Sequence, residues 1–512
     1  MNSSLLFYEL KENFMSKISK IKTPDNTVYD IDATTVSGHT VGTDVPASAV
    51  FTDTTYTVKR TEINTVNKGQ DIAVDDITSW SAGAATSVSY SNGTMSVTNG
   101  TAPALSYTVK NVPSFSVSKK MVVTKVEEPN PNNYYGMIIH QAISNPTSNI
   151  EYIGINQNYT PMSPIFATGG VSYGDWADMP TIAENKPAMI KTDGTFDYWL
   201  DESDYTKKAD GTASDVANTS YDGNAFAWFE PIWMKITESG TDLEVRFAYS
   251  QLDQDYYEVC PHECGVWLPM YYGCAINGHM RSIANTSVLG NTTGNTTTDA
   301  QNTSIKANGN DYYFLGGKVL DCLTLLQMMW FKTTNSDNIC RGNQDGYDAS
   351  AADGRYGTKS NPVVDGGQFY LTNDGKSANK VLHCIPLGTY DVWLRNPYLI
   401  CDNGTYKVSK DYSFDSTGAS YVNTGKTSPS TGYQKELTYV DGYGLVPKSV
   451  GGGTSTYYAD YYWINASIVA VALSFGDCHG GRIAGFRYLH ASLTAGSSSW
   501  SSGCALFLKQ SR

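Results

Sequence analysis

Apolar residues recur at helical spacing in two stretches of this chain. Phe7, Leu10, Phe14, Ile18 and Ile21 fall near one face and predict an amphipathic helix over residues 6–21. Val319, Leu323, Leu326 and Trp330 repeat in the same way, with Leu320, Cys322 and Met329 widening their apolar face, so residues 318–330 are expected to form a core helix. Elsewhere a two-residue rhythm appears. The alternations at 87–90, 95–98 and 105–109, broken by Asn92-Gly93 and Asn99-Gly100, predict hairpins in a small β module, because Asn-Gly suits the turns that match strand twist. Residues 119–125 and 137–142 are further strand candidates, and 468–473 and 504–508 read as short buried strands.

These elements imply three regions. Residues 1–58 carry the first helix and a Thr/Val-rich stretch, 36–56, expected to run as short strands or an extended crossing segment; 59–118 form the β module; 119–512 form a large domain. Within that domain the polar insertions at 287–310 and 337–358 and the Tyr/Gly-rich stretch 442–463 are expected to be irregular loops over a rigid body.

Composition narrows the class. Charged residues make up only 17% of the chain against 36 Tyr and 46 Gly, a balance of β-rich virion or extracellular adhesins rather than of helical enzymes. The net charge of −14 opposes binding to nucleic acid or an anionic membrane and leaves a neutral sugar or a protein as the expected partner. Charges scattered through residues 1–22 argue against a secretory signal, and no apolar run approaches the length of a spanning helix, so no membrane insertion is expected. The nine Cys are odd in number and irregularly spaced, as for small core residues rather than a disulfide framework.

The segment 474–503 mixes Gly and Ser with Asp, His, Arg, Tyr and Phe and contains no Lys, Glu, Gln or Met. Its Gly residues are too frequent for a regular element, and its side chains are those that supply contact energy at binding surfaces. Asp477, His479, Arg482, Ile483, Phe486, Arg487, Tyr488, His490 and Ser492 are the candidate ligand contacts. Gly476, Gly481, Gly485, Trp500 and Gly503 are the candidate scaffold, and Phe486 and Leu489 are the two residues expected to point inward.

Phe475-Gly476-Asp477, Gly481, Ala484-Gly485, Leu489, Ser498, Trp500-Ser501, Gly503 and Leu506 together resemble the C-terminal pattern of the variable proteins of diversity-generating retroelements, which include phage tropism determinants and prophage proteins of gut bacteria. Gly265–Tyr271, Met280–Ile283 and the helix at 318–330 resemble the body of the C-type-lectin-like fold these proteins use. Asp193–Tyr198, Asp210–Val216 and Tyr221–Ala225 with Trp228 and Lys235 resemble its N-terminal part, extending the likeness over roughly two-thirds of the chain. The resemblance implies substitution at template adenines, which fits the missing residue types and makes Trp500 a fixed position. It implies an α+β fold class, with a C-type-lectin-like C-terminal domain preceded by a β-rich, trimeric, fibre-like region. Residues 36–56 also resemble a stretch of phage tail fibre and tail-tip proteins, implying attachment to other tail proteins.

Candidate chemistry is sparse. Cys260-Pro-His-Glu-Cys264 lacks a second pair to complete a zinc site. The loop 343–348 with Asp353 offers oxygen ligands for a structural calcium ion but not the spacing of an EF-hand; no other cofactor is expected. Glu128-Pro-Asn130 matches the sugar-binding tripeptide of calcium-dependent lectins but precedes the lectin-like body and has no Trp-Asn-Asp after it. The related formylglycine-generating enzymes direct attention to His262 with Cys264, His383 with Cys384, and Cys478 with His479; residues adjacent in sequence usually point apart, so no catalysis is expected. The implied function is host adhesion by a homotrimer at a phage tail tip or fibre, made in the bacterial cytoplasm and directed at a surface protein or polysaccharide. A bacterial surface lectin of fixed specificity and a formylglycine-generating-type enzyme are the rivals.

Overall fold

The computed structural model describes residues 130–259, 265–286, 297–342, 366–375, 377–478, 480–499 and 501–510, with only the backbone of Arg482, and the strand backbones within 1–129. The chain divides into two compact units, Met1–Asn130 and Pro131–Arg512.

In the first unit, Ser87–Ser91 and Thr94–Asn99 pair antiparallel around Asn92-Gly93, the hairpin that dipeptide predicts. Asn99-Gly100 does something else. The next strand, Ala104–Val109, leaves that sheet and pairs with Ile77–Ser81 and Met121–Val122, so the second Asn-Gly marks a switch between two three-stranded sheets. Because Met121–Val122 pairs with Ala104–Val109, the first unit runs on to Asn130, past the boundary expected near Lys119. Lys20–Lys22 is a strand paired with Val28–Asp30 rather than the end of a helix; the rest of that expected helix and the stretch 36–56 lie outside the described residues.

The second unit is built on three sheets. A five-stranded antiparallel sheet has the order Ile150–Gly154, Tyr135–His140, Asp242–Ala248, Trp233–Ser239, Tyr257–Glu258. A six-stranded sheet has the order Phe196–Trp199, Pro187–Lys191, Gly223–Phe229, Val266–Pro269, Leu506–Lys509, Tyr312–Phe314. The penultimate residues of the chain are thus an internal strand, and every residue of Gly223–Phe229 is buried, as a strand covered on both faces requires.

The largest sheet has nine strands: β1 (Trp393–Asp402), β2 (Thr405–Val408), β3 (Val422–Thr427), β4 (Gly432–Val440), β5 (Gly444–Val450), β6 (Tyr461–Ile464), β7 (Val469–Ser474), β8 (Leu489–Leu493) and β9 (Ser502–Gly503). Its order is β3-β2-β1-β7-β8-β6-β4-β5, with β9 beside β1. The sheet curls until its ends meet. Tyr406 on β2 donates its hydroxyl to the Pro447 carbonyl on β5 at 3.1 Å, and Lys426 on β3 reaches Thr438 on β4 at 2.9 Å. Leu399, Tyr406, Val408, Val446, Tyr462, Ala470, Ala472, Leu489 and Ala491, drawn from six strands, fill the interior of this nearly closed barrel.

Two helices support the sheets. The helix α1 (Thr298–Lys306) starts where the Thr297 hydroxyl accepts the Ala300 N–H, inside a stretch expected to be irregular. The helix α2 (Gly317–Phe331) matches the predicted core helix; all its residues but Lys318 are buried, as an all-round apolar helix demands. The expected α+β, C-type-lectin-like class is not the fold observed. Among the described residues strands take 39% and helices 11%, around a nearly closed β-barrel-like sheet, so the protein is β-rich. One strong helical pattern stood out in the sequence because its apolar face is continuous, whereas β5 and β6 begin inside the Tyr- and Gly-rich stretch 442–463, which passes for loop.

Candidate functional site

β7 and β8 are antiparallel neighbours, and residues 475–488 make the reversal between them. Four backbone bonds pin it: Phe475 N–H to Tyr488 O (2.8 Å), Gly485 N–H to Phe475 O (2.9 Å), Tyr488 N–H to Gly485 O (3.0 Å) and Cys478 N–H to Asp391 O (3.2 Å). Phe475 takes φ 80 and Gly476 φ 102, and a side chain at Gly476 would press on Ala484. Gly485 is required by packing: a Cβ there would overlap the Asp460 carboxylate and the Ser336 hydroxyl. Gly481 opens a single 3-10 turn, Gly481–Ile483, and Gly503 lies in β9. Gly476 and Gly485 are thus closely packed, whereas a Cβ at Gly481 would meet nothing within 4 Å.

Four of the nine expected contact residues are interior as well. Phe486 and Tyr488 are 3% and 4% exposed, and Asp477 is buried with its charge close to the Tyr488 hydroxyl. Arg487 runs inward from the reversal to α2. Its guanidinium donates to Asp321 Oδ1 at 2.6 Å, to Thr324 Oγ1 at 2.8 Å and to the Leu445 carbonyl at 2.9 Å, while Leu445 N–H donates to the other Asp321 oxygen at 3.1 Å. Burial pushes the Asp321 carboxyl upward and the guanidinium opposes it; with both oxygens receiving N–H donors, the pair is held as ions. The backbone N–H of Arg487 donates to Asp460 Oδ2 at 2.8 Å, and Ser336 donates to Oδ1 at 2.9 Å. Burial outweighs these bonds and raises the Asp460 carboxyl to about 7. A cavity of about 30 Å³ beside Arg487, lined by Asp321, Gln434, Tyr443 and Phe486, admits a water and no larger ligand.

The assignment of Arg487, Tyr488 and Asp477 as surface contacts is therefore corrected: they are interior, as are Phe486 and Leu489, the two residues expected to point inward. An Arg in a Gly-rich segment reads as a contact residue until its partner is known, and Asp321 lies 166 positions away. Ile483, His490 and Ser492 are partly exposed. His479, Trp500 and the side chain of Arg482 lie outside the described residues.

The outward surface next to β8 is built by residues that the pattern of 474–503 does not reveal. β6 lies parallel to β8 and antiparallel to β4, with Trp463 opposite His490 and Tyr461 opposite Tyr433. Alternation turns Tyr462 into the barrel and leaves Tyr461 and Trp463 on the outer face. Trp463 is 47% exposed, and Tyr433 and Tyr461 are partly exposed. Ring centroids are 6.2 Å apart between Tyr461 and Trp463, tilted by 38°, and 5.0 Å between Tyr433 and Tyr461, which stand at 89°. The strip continues inward through Tyr488, 6.1 Å from Tyr461, and Trp393, 4.6 Å from Tyr488. His490 lies 4.9 Å from Trp393 and its Nε2 meets Ser492 Oγ at 3.1 Å; burial lowers its pKa to about 4, so the imidazole is neutral near pH 7. The period-two pattern Tyr-Tyr-Trp-Ile was the available signal, masked by the Tyr-rich stretch around it.

Of the other candidate pairs, His383 with Cys384 lies in the core. His383 Nδ1 lies 2.6 Å from the Tyr205 hydroxyl, and burial with the Lys380 charge lowers its pKa to about 3. Burial raises the Cys384 thiol well above its ordinary value, so this pair is a neutral imidazole and a protonated thiol in the core rather than a base and nucleophile. Cys478 is buried. The pair His262 and Cys264 and the calcium candidate at 343–348 with Asp353 lie outside the described residues, among which no group of three metal-ligating side chains occurs. No described helix is long and apolar enough to cross a membrane. No protein-family model matches the chain, and no curated protein matches it.

Proposed function

We propose that this chain is a receptor-binding protein of a phage or prophage particle, carried at a tail tip or fibre, and that it engages a host-surface ligand through the strip formed by Tyr433, Tyr461, Trp463, His490 and Ser492. The observation that carries the reading is the exposure of Trp463, 47% open on a paired sheet strand rather than a loop. A Trp ring left in water costs stability, and a ring held by strand pairing gives contact area with little ordering entropy. The likeness of residues 474–503 to retroelement-diversified segments supports host adhesion, with exchange confined to outward positions such as Ile483, His490 and Ser492. The likeness of residues 36–56 to tail fibres supports a homotrimer attached to other tail proteins, in which three modest sites act together.

A fixed-specificity bacterial surface lectin is the second reading. It is favoured by one fact: Tyr433, Tyr461 and Trp463 lie outside the segment 474–503. A reverse transcriptase gene beside this one, with a template repeat differing from its 3′ end at adenines, supports the phage reading; an isolated gene supports the lectin.

The test of the site is binding of fluorescent protein to a panel of intact Gram-positive and Gram-negative bacteria. The wild type is expected to label at least one strain and Trp463→Ala, folded by circular dichroism, to lose most of that labelling. Equal labelling by both proteins, or none by either, overturns the proposal.

A further inference from the structure

We infer that the strip is a subsite for an uncharged glycan chain, the ring pair Tyr461–Trp463 stacking on successive sugar rings with Tyr433 as a side wall. This deepens the proposed adhesion reading and rests on it. A pyranose ring has C–H faces that pack on aromatic rings and hydroxyls that point sideways from its rim, so it needs a flat apolar floor with hydrogen-bonding groups at the margins. The strip has that arrangement. Tyr461 and Trp463 are tilted by only 38° at a 6.2 Å spacing, forming a gently bent floor long enough for more than one ring. Tyr433 stands at 89° to Tyr461 and closes one side. On the other side Trp463 is paired with His490, whose ring is linked to the Ser492 hydroxyl. The phenols, imidazole and hydroxyl together give donors and acceptors at the rim.

Charge selects among glycans. The groups building the strip are uncharged near pH 7: an indole, two phenols, a hydroxyl, and an imidazole kept neutral by burial. The nearby carboxylate, Asp477, is buried beside Tyr488, and the whole chain carries a net charge of −14. An anionic polysaccharide would meet repulsion from the whole molecule and no compensating cation among the described groups of the strip. An apolar peptide would use the floor but leave the hydroxyl-bonding margin idle.

The test is titration of the intrinsic Trp fluorescence of the full chain with cellohexaose, maltohexaose, mannohexaose and, as the anionic counterpart, hexagalacturonate. At least one neutral hexasaccharide is expected to bind. Trp463→Ala is expected to weaken it tenfold or more, Trp463→Phe by less, and hexagalacturonate is expected to bind at least tenfold more weakly than that neutral sugar. No binding by any neutral sugar, binding indifferent to Trp463→Ala, or equal binding of the anionic one overturns the inference. Treatment of labelled bacteria separates the two proposals. If protease but not periodate abolishes labelling that depends on Trp463, the adhesive face stands and its ligand is a protein; if labelling does not depend on Trp463, the face itself is wrong.

Discussion

Arg487 and Asp321 form an ion pair in the interior, 2.6 Å between Nη1 and Oδ1, joining the Gly-rich reversal before β8 to the core helix α2. The pair fixes the height at which the C-terminal segment sits on the domain, and it fixes β8, which pairs directly with β6 and so sets the aromatic strip. The segment is thus anchored by the very Arg that its composition would assign to ligand contact.

Replacing Arg487 with Met should be strongly destabilising, because it leaves the Asp321 carboxylate buried without its cation. The expected loss is about 3–5 kcal/mol. The double variant Arg487→Met with Asp321→Leu should lose markedly less, since neither charge is then stranded. Urea unfolding of the three proteins reads this directly; strictly additive losses would falsify the coupling.

Gly485→Ala tests packing rather than backbone conformation. Its Cβ would overlap Asp460 and Ser336, so the reversal must shift away from Asp460. A loss of about 1–3 kcal/mol is expected, the usual cost of overpacking. The companion change Ser336→Gly should recover part of it, and an unaltered melting temperature in Gly485→Ala would count against so close an approach.

The contribution of Asp460 to stability should fall as pH rises from about 4 to about 7. Asp460 holds its proton to about 7 in the folded state against 3.8 in the unfolded chain, so between these values only the unfolded state releases it. The contribution is whole below the unfolded value and gone above the folded one. Asp460→Asn keeps an acceptor for the Arg487 N–H and can donate to Ser336, and denaturant titrations at stepped pH should show it gaining stability relative to the wild type across this window, on top of the opposite slope that the lowered His383 and His490 give both proteins. A difference between the two profiles that stays constant over the window contradicts the assignment.

Thiol chemistry should be silent over most of the chain. Cys274, Cys322, Cys340, Cys384, Cys401, Cys478 and Cys504 are free and buried, and burial raises the thiols of Cys340 and Cys504 to about 12. A disulfide-exchange reagent at pH 7.5 should therefore leave these seven thiols unreacted in the native protein and reach them only after unfolding without reductant. Labelling of Cys384 or Cys478 in the native protein, located by peptide mapping, would reopen the question of a catalytic thiol.

How much of this was legible differs from element to element. The helix over 318–330 and the hairpin at Asn92-Gly93 were, because each is set by a local pattern strong enough to need no partner. Asn99-Gly100 carried the same turn signal, yet the strand after it pairs in another sheet; turn chemistry sets a bend and not the strand's neighbour. The framework role of Gly476 and Gly485 was visible in outline. The strip of Tyr433, Tyr461 and Trp463 was not, since β6 comes to lie between β4 and β8 only through pairings between residues far apart in the chain.

The sequence by itself determined that the chain has real apolar cores, a buried helix, short alternating strands, scattered core cysteines and a net charge of −14. Only the tertiary structure decided the class, curling nine strands into a nearly closed barrel, and decided which aromatic residues face water. The reason is physical: periodicity fixes which residues share a face, but inside and outside are defined by what that face meets. Arg487 is interior because Asp321 waits there, and Trp463 is exterior because Tyr462 beside it takes the place in the core.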